Sequence, residues 1–256
     1  MVIQQFIALK TLLRVEISRF LRVWPQSLMP PVITILLYFL VFGHFIGARL
    51  SISSNLSYMQ FIVPGLVMMA VVMSAYNNAA FSFFVARFQR SIEEIIISPM
   101  NTHMLLLGFS LASIVRGILT GLIVTTVAFF FYPHLPSHRC LLIMATILAA
   151  LLFSLLGFLN GMFAKKFDDV SIIPTFLLTP LIYLGGVFYS LNELSPIWKT
   201  VSYINPMTYL VALFRYGFID VHEVNIRSGV MVLVTLNVLL YFCCYRLLKK
   251  GVGIKT

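Results

Sequence analysis

Carboxylates are scarce in this sequence. Eight aspartates and glutamates stand among 256 residues, and charged side chains of either sign make up 10%. None of the eight lies inside a long apolar run. Transporters driven by protons or sodium place a titrating or coordinating carboxylate at membrane depth. The absence argues against a self-sufficient secondary transporter, although Arg116 and backbone carbonyls leave room for one. Cysteine is nearly absent too. Cys140 begins one apolar run and Cys243-Cys244 lie within another, where a thiol behaves as a small apolar group. Three cysteines make no disulfide framework, and no CxxC spacing suggests a metal. His134 and His138 would need a helix that Pro136 forbids, and none of the five histidines stands at catalytic spacing from a Ser or Cys. A membrane acyltransferase or protease is therefore disfavoured. No phosphate loop is present: the tail Gly251 to Thr256 echoes one but lacks the spacing, the strand before and the helix after. No cleavable signal peptide is evident, since charges interrupt the N-terminal apolar stretch.

What fills the sequence is apolar: 60% of residues are hydrophobic. Soluble domains hold about 45–50% apolar and about 25% charged residues, so the chain reads as an all-α polytopic membrane protein. The net charge of +10 comes from basic residues between apolar runs, where topology needs them, and forms no compact patch for nucleic acid.

Six spans are expected, at about 28–47, 58–86, 104–132, 139–163, 170–191 and 228–248, each near the 20 residues that cross a bilayer. Residues 3–23 predict an amphipathic helix in the headgroup plane. Lys10, Arg14, Ser18 and Arg22 form its polar stripe, and Pro25, Pro30 and Pro31 turn the chain into span one. Between spans five and six, Ser195-Pro196 and Asn205-Pro206 are helix-start signals. Two short re-entrant helices over about 192–218 fit this stretch better than a seventh span. Twelve lysines and arginines fall on the side of the N-terminus (10, 14, 19, 22, 87, 90, 165, 166, 246, 249, 250, 255) against five opposite (49, 139, 199, 215, 227). The positive-inside rule then makes both termini cytosolic. One single domain, 1–256, accounts for the whole chain.

The loop after span two carries a further signal. Arg90-Ser91-Ile92-Glu93-Glu94-Ile95-Ile96 leads to Pro99. Ser91 and Glu94 make a capping box, so a helix is expected over about 92–98, with Glu93 and Glu94 at its positive end. Ile92, Ile95 and Ile96 form an apolar ridge that a soluble partner would cover; a self-packed turn is the alternative. Deep in the membrane stands Arg116, about 18 Å in by helical rise. It is either a counter-charge for an anionic cargo group or a structural arginine bonded to amides of Asn77, Asn78 or Asn160.

The organising stretch is Lys165 to Tyr189, KKFDDVSIIPTFLLTPLIYLGGVFY. Pro174, Pro180 and Gly185-Gly186 interrupt an apolar run, and such breaks are tolerated only against neighbouring helices or a wet cavity. The segment reads as a bent helix of a transport path. Phe167-Asp168-Asp169, the two prolines and Tyr183-Leu184-Gly185-Gly186-Val187-Phe188-Tyr189 resemble the signature region of type-2 ATP-binding-cassette export permeases. The nearest group holds the nodulation-factor and daunorubicin permeases and several uncharacterised bacterial inner-membrane permeases. The likeness covers most of the chain.

It implies a transport subunit without catalytic residues, in a bacterial inner membrane. A separate soluble ATPase would hold ATP and magnesium and receive the 92–98 coupling helix, and two permease copies would pair. It also implies a path lined by spans one, two and five, with an amphipathic cargo such as a lipid, lipo-oligosaccharide or hydrophobic drug. A channel or secondary transporter, or a membrane scaffold that recruits a soluble partner, are the other readings.

Overall fold

The computed structural model describes residues 2–46, 51–53, 56–98, 100–131, 133 and 136–253. Helix α1 (Val2–Arg22) is followed by α2 (Trp24–Tyr38), which runs on as a π-helical segment, Phe39–Ile46. A small antiparallel ribbon of β1 (Ser51–Ser53) and β2 (Leu56–Ser57) leads into α3 (Tyr58–Phe88). Then come α4 (Ser91–Ile97), α5 (Thr102–Phe131), α6 (Arg139–Phe163) and α7 (Phe167–Ile173). A second π segment, Pro174–Leu178, joins α7 to α8 (Thr179–Tyr183). The chain ends with α9 (Pro196–Ile204), α10 (Pro206–Ile219) and α11 (Ile226–Lys249).

Among the described residues, five stretches are long and apolar enough to cross a membrane: Trp24–Phe42, Tyr58–Phe88, Thr102–Phe131, Arg139–Phe163 and Ile226–Lys249. They coincide with expected spans one to four and six, and the chain is a polytopic helical membrane protein. The expected fifth span differs. Its helix occupies Phe167 to Tyr183 in three pieces, with Leu184 as the C-cap, and does not reach 191. Gly186 takes φ +77°, a conformation open to glycine, so the pair at 185–186 ends the helix and does not bend it. The first span also begins earlier than expected. The break sits at Val23, and Pro30 and Pro31 lie inside α2. Pro25 occupies its first turn, where a missing N–H goes unnoticed.

Helix α3 is the axis of the fold and is buried along most of its length. Two glycine pairs at i, i+4 spacing allow its neighbours to close on it. On α6, a Cβ at Gly157 would run into the Tyr76 carbonyl, and one at Gly161 would stand 2.5 Å from the Ala80 oxygen. On α5, Gly117 faces Ala75 and a Cβ at Gly121 would reach Val71 Cγ2 at 2.6 Å. Lipid gives helices no hydrophobic reason to associate, so close backbone approach and dispersion carry the packing. From α3, Phe83 meets Phe109 edge-on and Phe158 at a tilt, with centroids 5.5 and 4.2 Å away.

Helix α1 lies against α5, with Leu12 beside Gly108, and buries Leu12, Glu16 and Phe20. Its exposed side mixes Ile3, Phe6, Ile7 and Val15 with Lys10 and Arg14, so the basic stripe is not segregated from the apolar residues as expected. Glu16 pairs with Arg19 at 2.7 Å and accepts from the Ser82 hydroxyl of α3. Burial pushes its carboxyl above the usual range, and Arg19 and Ser82 offset that in part.

Candidate functional site

A cavity of about 590 Å³ opens between α2, α3, α5 and the α7–α8 segment. From α2 it is lined by Gln26, Ser27, Pro30, Pro31, Thr34 and Ile35, and from α3 by Met69, Ala70, Met73, Ser74, Asn77 and Phe81. Arg116 of α5 enters from one side, and Ser171, Pro174, Thr175 and Thr179 from the other. The helices around this cavity fall in the stretches expected as spans one, two and five, and α5 adds the charge.

Prolines in α2 and at the end of α7 free backbone carbonyls near this cavity. A proline offers no N–H, so the carbonyl four residues earlier loses its helical partner. In α2, Pro31 leaves the Ser27 carbonyl free, and Arg116 Nη2 donates to that oxygen at 3.1 Å. In α7, Pro174 leaves the Val170 carbonyl free, and Asn160 Nδ2 of α6 donates to it at 2.8 Å. Buried carbonyls in a membrane must find donors somewhere, and here helices next door supply them. Thr179 turns back on the π segment as well, giving both its N–H and its hydroxyl to the Pro174 carbonyl.

Arg116 makes one further bond, from Nη1 to Asn78 Oδ1 at 3.2 Å, and Asn78 Nδ2 donates to Ser113 Oγ at 2.9 Å. Of the three amides within its expected reach, Asn78 holds the guanidinium, Asn160 serves Val170, and Asn77 faces the cavity. An aromatic cluster lies one turn beyond Thr34 and Thr179. There the hydroxyls of Tyr38 and Tyr183 meet at 2.9 Å, and Phe188 packs on Tyr38, Phe42 and Tyr183 at 5.2–5.6 Å.

The signature stretch divides into two anchors. At one end Asp169 accepts from the N–H groups of Lys165 and Lys166 at 2.8 and 2.9 Å, capping α7. Those bonds hold its carboxyl below the usual carboxylate range. Asp169 is thus a cap of α7. Phe167 packs edge-on to Phe84 and Phe88, and Asp168 is exposed. Arg87 secures the neighbouring helix end, donating to the carbonyls of Gly161, Met162 and Ala164 of α6 and its end.

At the other end, a group that sequence reasoning missed takes over. Arg215 of α10 is fully buried, donates from Nη2 to the Gly186 carbonyl at 2.7 Å and from Nε to Phe61 at 3.3 Å, and lies 3.6 Å over the Phe61 ring. Its Nη1 pairs with Glu223, whose other oxygen accepts from Ser190 Oγ and Leu191 N–H. Gly185 must be small because a Cβ there would sit 2.6 Å from Met207 Cβ. The double glycine is therefore the seat of α10. Pro180 stands in the first turn of α8.

The α4 loop departs from expectation. Ser91 opens the helix itself and its hydroxyl donates back to Ala86 at 3.0 Å, so no capping box with Glu94 forms; Arg90, at φ +60°, is the cap residue. Ile92 is buried in the chain's own core with Leu105, Leu106 and Phe109, and Ile95 packs beside them. Ile92 is not on a free ridge. The exposed apolar side chain is Ile97, at 85%, beside exposed Glu93 and Glu94. Pro99 and the side chain of Ile96 lie outside the described residues.

Comparison with known proteins follows the same outline. The model of the family described as ABC-2 type transporter matches residues 7–219. The chain is 47% identical over 251 residues to the inner membrane transport permease YadH of Escherichia coli K12, covering 98% of both. It is 21% identical over 236 residues to nodulation protein J of Neorhizobium galegae, covering 90% of this chain and 88% of that one. Nodulation protein J of Sinorhizobium fredii is 23% identical over 214 residues.

Proposed function

Because the chain belongs to the ABC-2 type transporter family, we propose that it is the membrane-spanning permease subunit of an ATP-driven exporter. Hydrolysis belongs to a separate ATPase subunit that carries ATP and magnesium. The observation that carries this reading is the cavity between α2, α3 and the α7–α8 segment, a chamber lined by both apolar and hydroxyl or amide side chains, with Pro30, Pro31 and Pro174 in its walls.

In this reading α7, the π segment and α8 form a sixth crossing. Their 17 residues at about 1.5 Å each reach about 25 Å, and the turn after Leu184 completes the passage. Helices α9 and α10 re-enter from the outer face. The basic bias puts both termini in the cytosol, and with them α4, which docks on the ATPase through Glu93, Glu94 and Ile97. Two copies face each other across α2 and the α7–α8 segment, where Ile33, Leu37, Phe176 and Leu177 stand exposed. The name of the Escherichia coli relative supports an inner-membrane location, and the mixed lining of methionines and hydroxyls suits an amphipathic cargo.

The test is cysteine labelling at the cavity. With Cys140, Cys243 and Cys244 replaced by alanine, Thr175→Cys is exposed to a maleimide with and without ATP and vanadate, in membranes containing the ATPase. Nucleotide-dependent labelling is expected. Identical labelling in both states would remove the ATP-driven mechanism and favour a channel or secondary transporter.

A further inference from the structure

Two arginines lie among the helices, Arg215 fully buried and Arg116 half-buried at the cavity wall, and they are treated differently. Arg215 has a carboxylate, two carbonyls and an aromatic face. Arg116 has no anion. Among the described residues the ion pairs are Glu16 with Arg19, His138 with Asp220 and Arg215 with Glu223; none includes Arg116. No aspartate or glutamate lines its cavity. A guanidinium has five N–H donors. Two are taken, by Asn78 Oδ1 and the Ser27 carbonyl, and the Nε–H, though buried, has no partner.

A charge partly withdrawn from water at membrane depth, with a buried N–H unpaired and no counter-charge, is unfavourable, and a partner or a ligand relieves the cost. The fold has invested in keeping this charge at the cavity wall. Pro31 exposes the carbonyl that steers it, and Asn78 is itself steered by Ser113. Around it the cavity offers Asn77, Ser74 and Gln26 on one hand, and Met69, Met73 and Phe81 on the other.

We propose that this cavity is a binding site for an anionic amphiphile. A phosphate, sulfate or carboxylate oxygen accepts from Arg116 and Asn77, and the apolar part of the molecule lies along Met69, Met73 and Phe81. The bound molecule supplies the missing anion, so the cargo class is negatively charged. It rests on the permease reading only for what the bound molecule is there for.

The test uses the full chain purified in dodecyl maltoside and two lipids labelled in the tail, phosphatidylglycerol and phosphatidylcholine, with empty micelles as reference. The native chain should bind the anionic lipid about tenfold more tightly or better, as a charge-assisted hydrogen bond would provide. Millimolar inorganic phosphate should fail to displace it, because the tail contributes. Arg116→Gln should abolish the preference. Should that variant not fold, Asn77→Asp decides alone: it breaks no hydrogen bond seen among the described residues and sets a carboxylate in the cavity as a built-in competitor.

Equal binding of the two lipids by the native chain would overturn the inference, as would a preference that survives in Asn77→Asp and in folded Arg116→Gln. Displacement by inorganic phosphate would overturn the assignment to an amphiphile. An ATPase that failed to associate would undo the exporter reading and leave this binding preference untouched.

Discussion

The side-chain amide of Asn160 donates to the Val170 carbonyl at 2.8 Å, the oxygen that Pro174 leaves without a helical donor. The pair links α6 to the segment that flanks the cavity. Asn160→Ala should destabilise the chain by about 1–3 kcal/mol, the usual penalty for a buried acceptor left unpaired. Pro174→Ala restores an N–H to residue 174, so the double variant should recover part of that loss. A denaturation series over the native chain, both single variants and the double variant measures the coupling. Additive effects would mean that the amide serves no proline-freed carbonyl.

The two glycine pairs around α3 should respond unequally. In Gly157→Ala the new methyl meets the Tyr76 carbonyl, which is backbone and cannot step aside. In Gly121→Ala it meets the end of the Val71 side chain, which can rotate. The first should lower stability by about 1–3 kcal/mol or more, and the second by clearly less. Thermal unfolding in detergent compares them, and an equal response would argue against backbone contact as the basis of the α3–α6 seam.

On α4, position decides outcome. Ile92 is 1% exposed and Ile97 is 85% exposed. Ile92→Asp buries a charge and should abolish folding or accumulation. Ile97→Asp should leave the melting temperature unchanged and reduce recovery of the ATPase with the tagged chain about tenfold. Normal recovery would displace the docking surface from this helix.

Glu16 gives the stability a pH dependence of known sign. Its carboxyl is raised by burial, so its share of stability is complete below the pKa of the unfolded chain and is lost as pH rises through the folded value. Glu16→Gln should remove that slope and unfold later than the native chain at neutral pH, with little difference in acid. Unfolding midpoints between pH 4 and 8 test it; a native chain that gains stability with pH through this residue would contradict the assignment.

Much of the fold is legible in the sequence because membrane helices announce themselves by length. Helix α6 runs from Arg139 to Phe163, the bounds its flanking charges predict. The start of α10 at Pro206 follows from Asn205, whose Oδ1 accepts from the Met207 N–H at 2.9 Å. Other signals were present and passed over. Gly157 and Gly161, and Gly117 and Gly121, carry the spacing of close helix contacts. Ser57 and Gln60 spell the capping box that opens α3.

The Arg215–Glu223 pair was hidden for a physical reason. Eight residues and the end of α10 separate the partners, Asp220 turns the chain in the left-handed region, and no periodicity foretells that they meet. Periodicity fails similarly on α4. It places Ile92 and Ile95 on one face but cannot say whether that face belongs to the chain's own core or to a partner. The carbonyls freed by Pro31 and Pro174 are foreseeable from the sequence; the side chains that reach them, Arg116 and Asn160, are known only once the helices are packed.

The most direct test of the account is to purify the tagged chain from its native membrane in mild detergent and identify by mass spectrometry what accompanies it. A soluble ATPase with its own phosphate loop, recovered in one-to-one ratio with the permease, is the predicted result. Recovery of the chain alone, across several detergents and with nucleotide present, would contradict it.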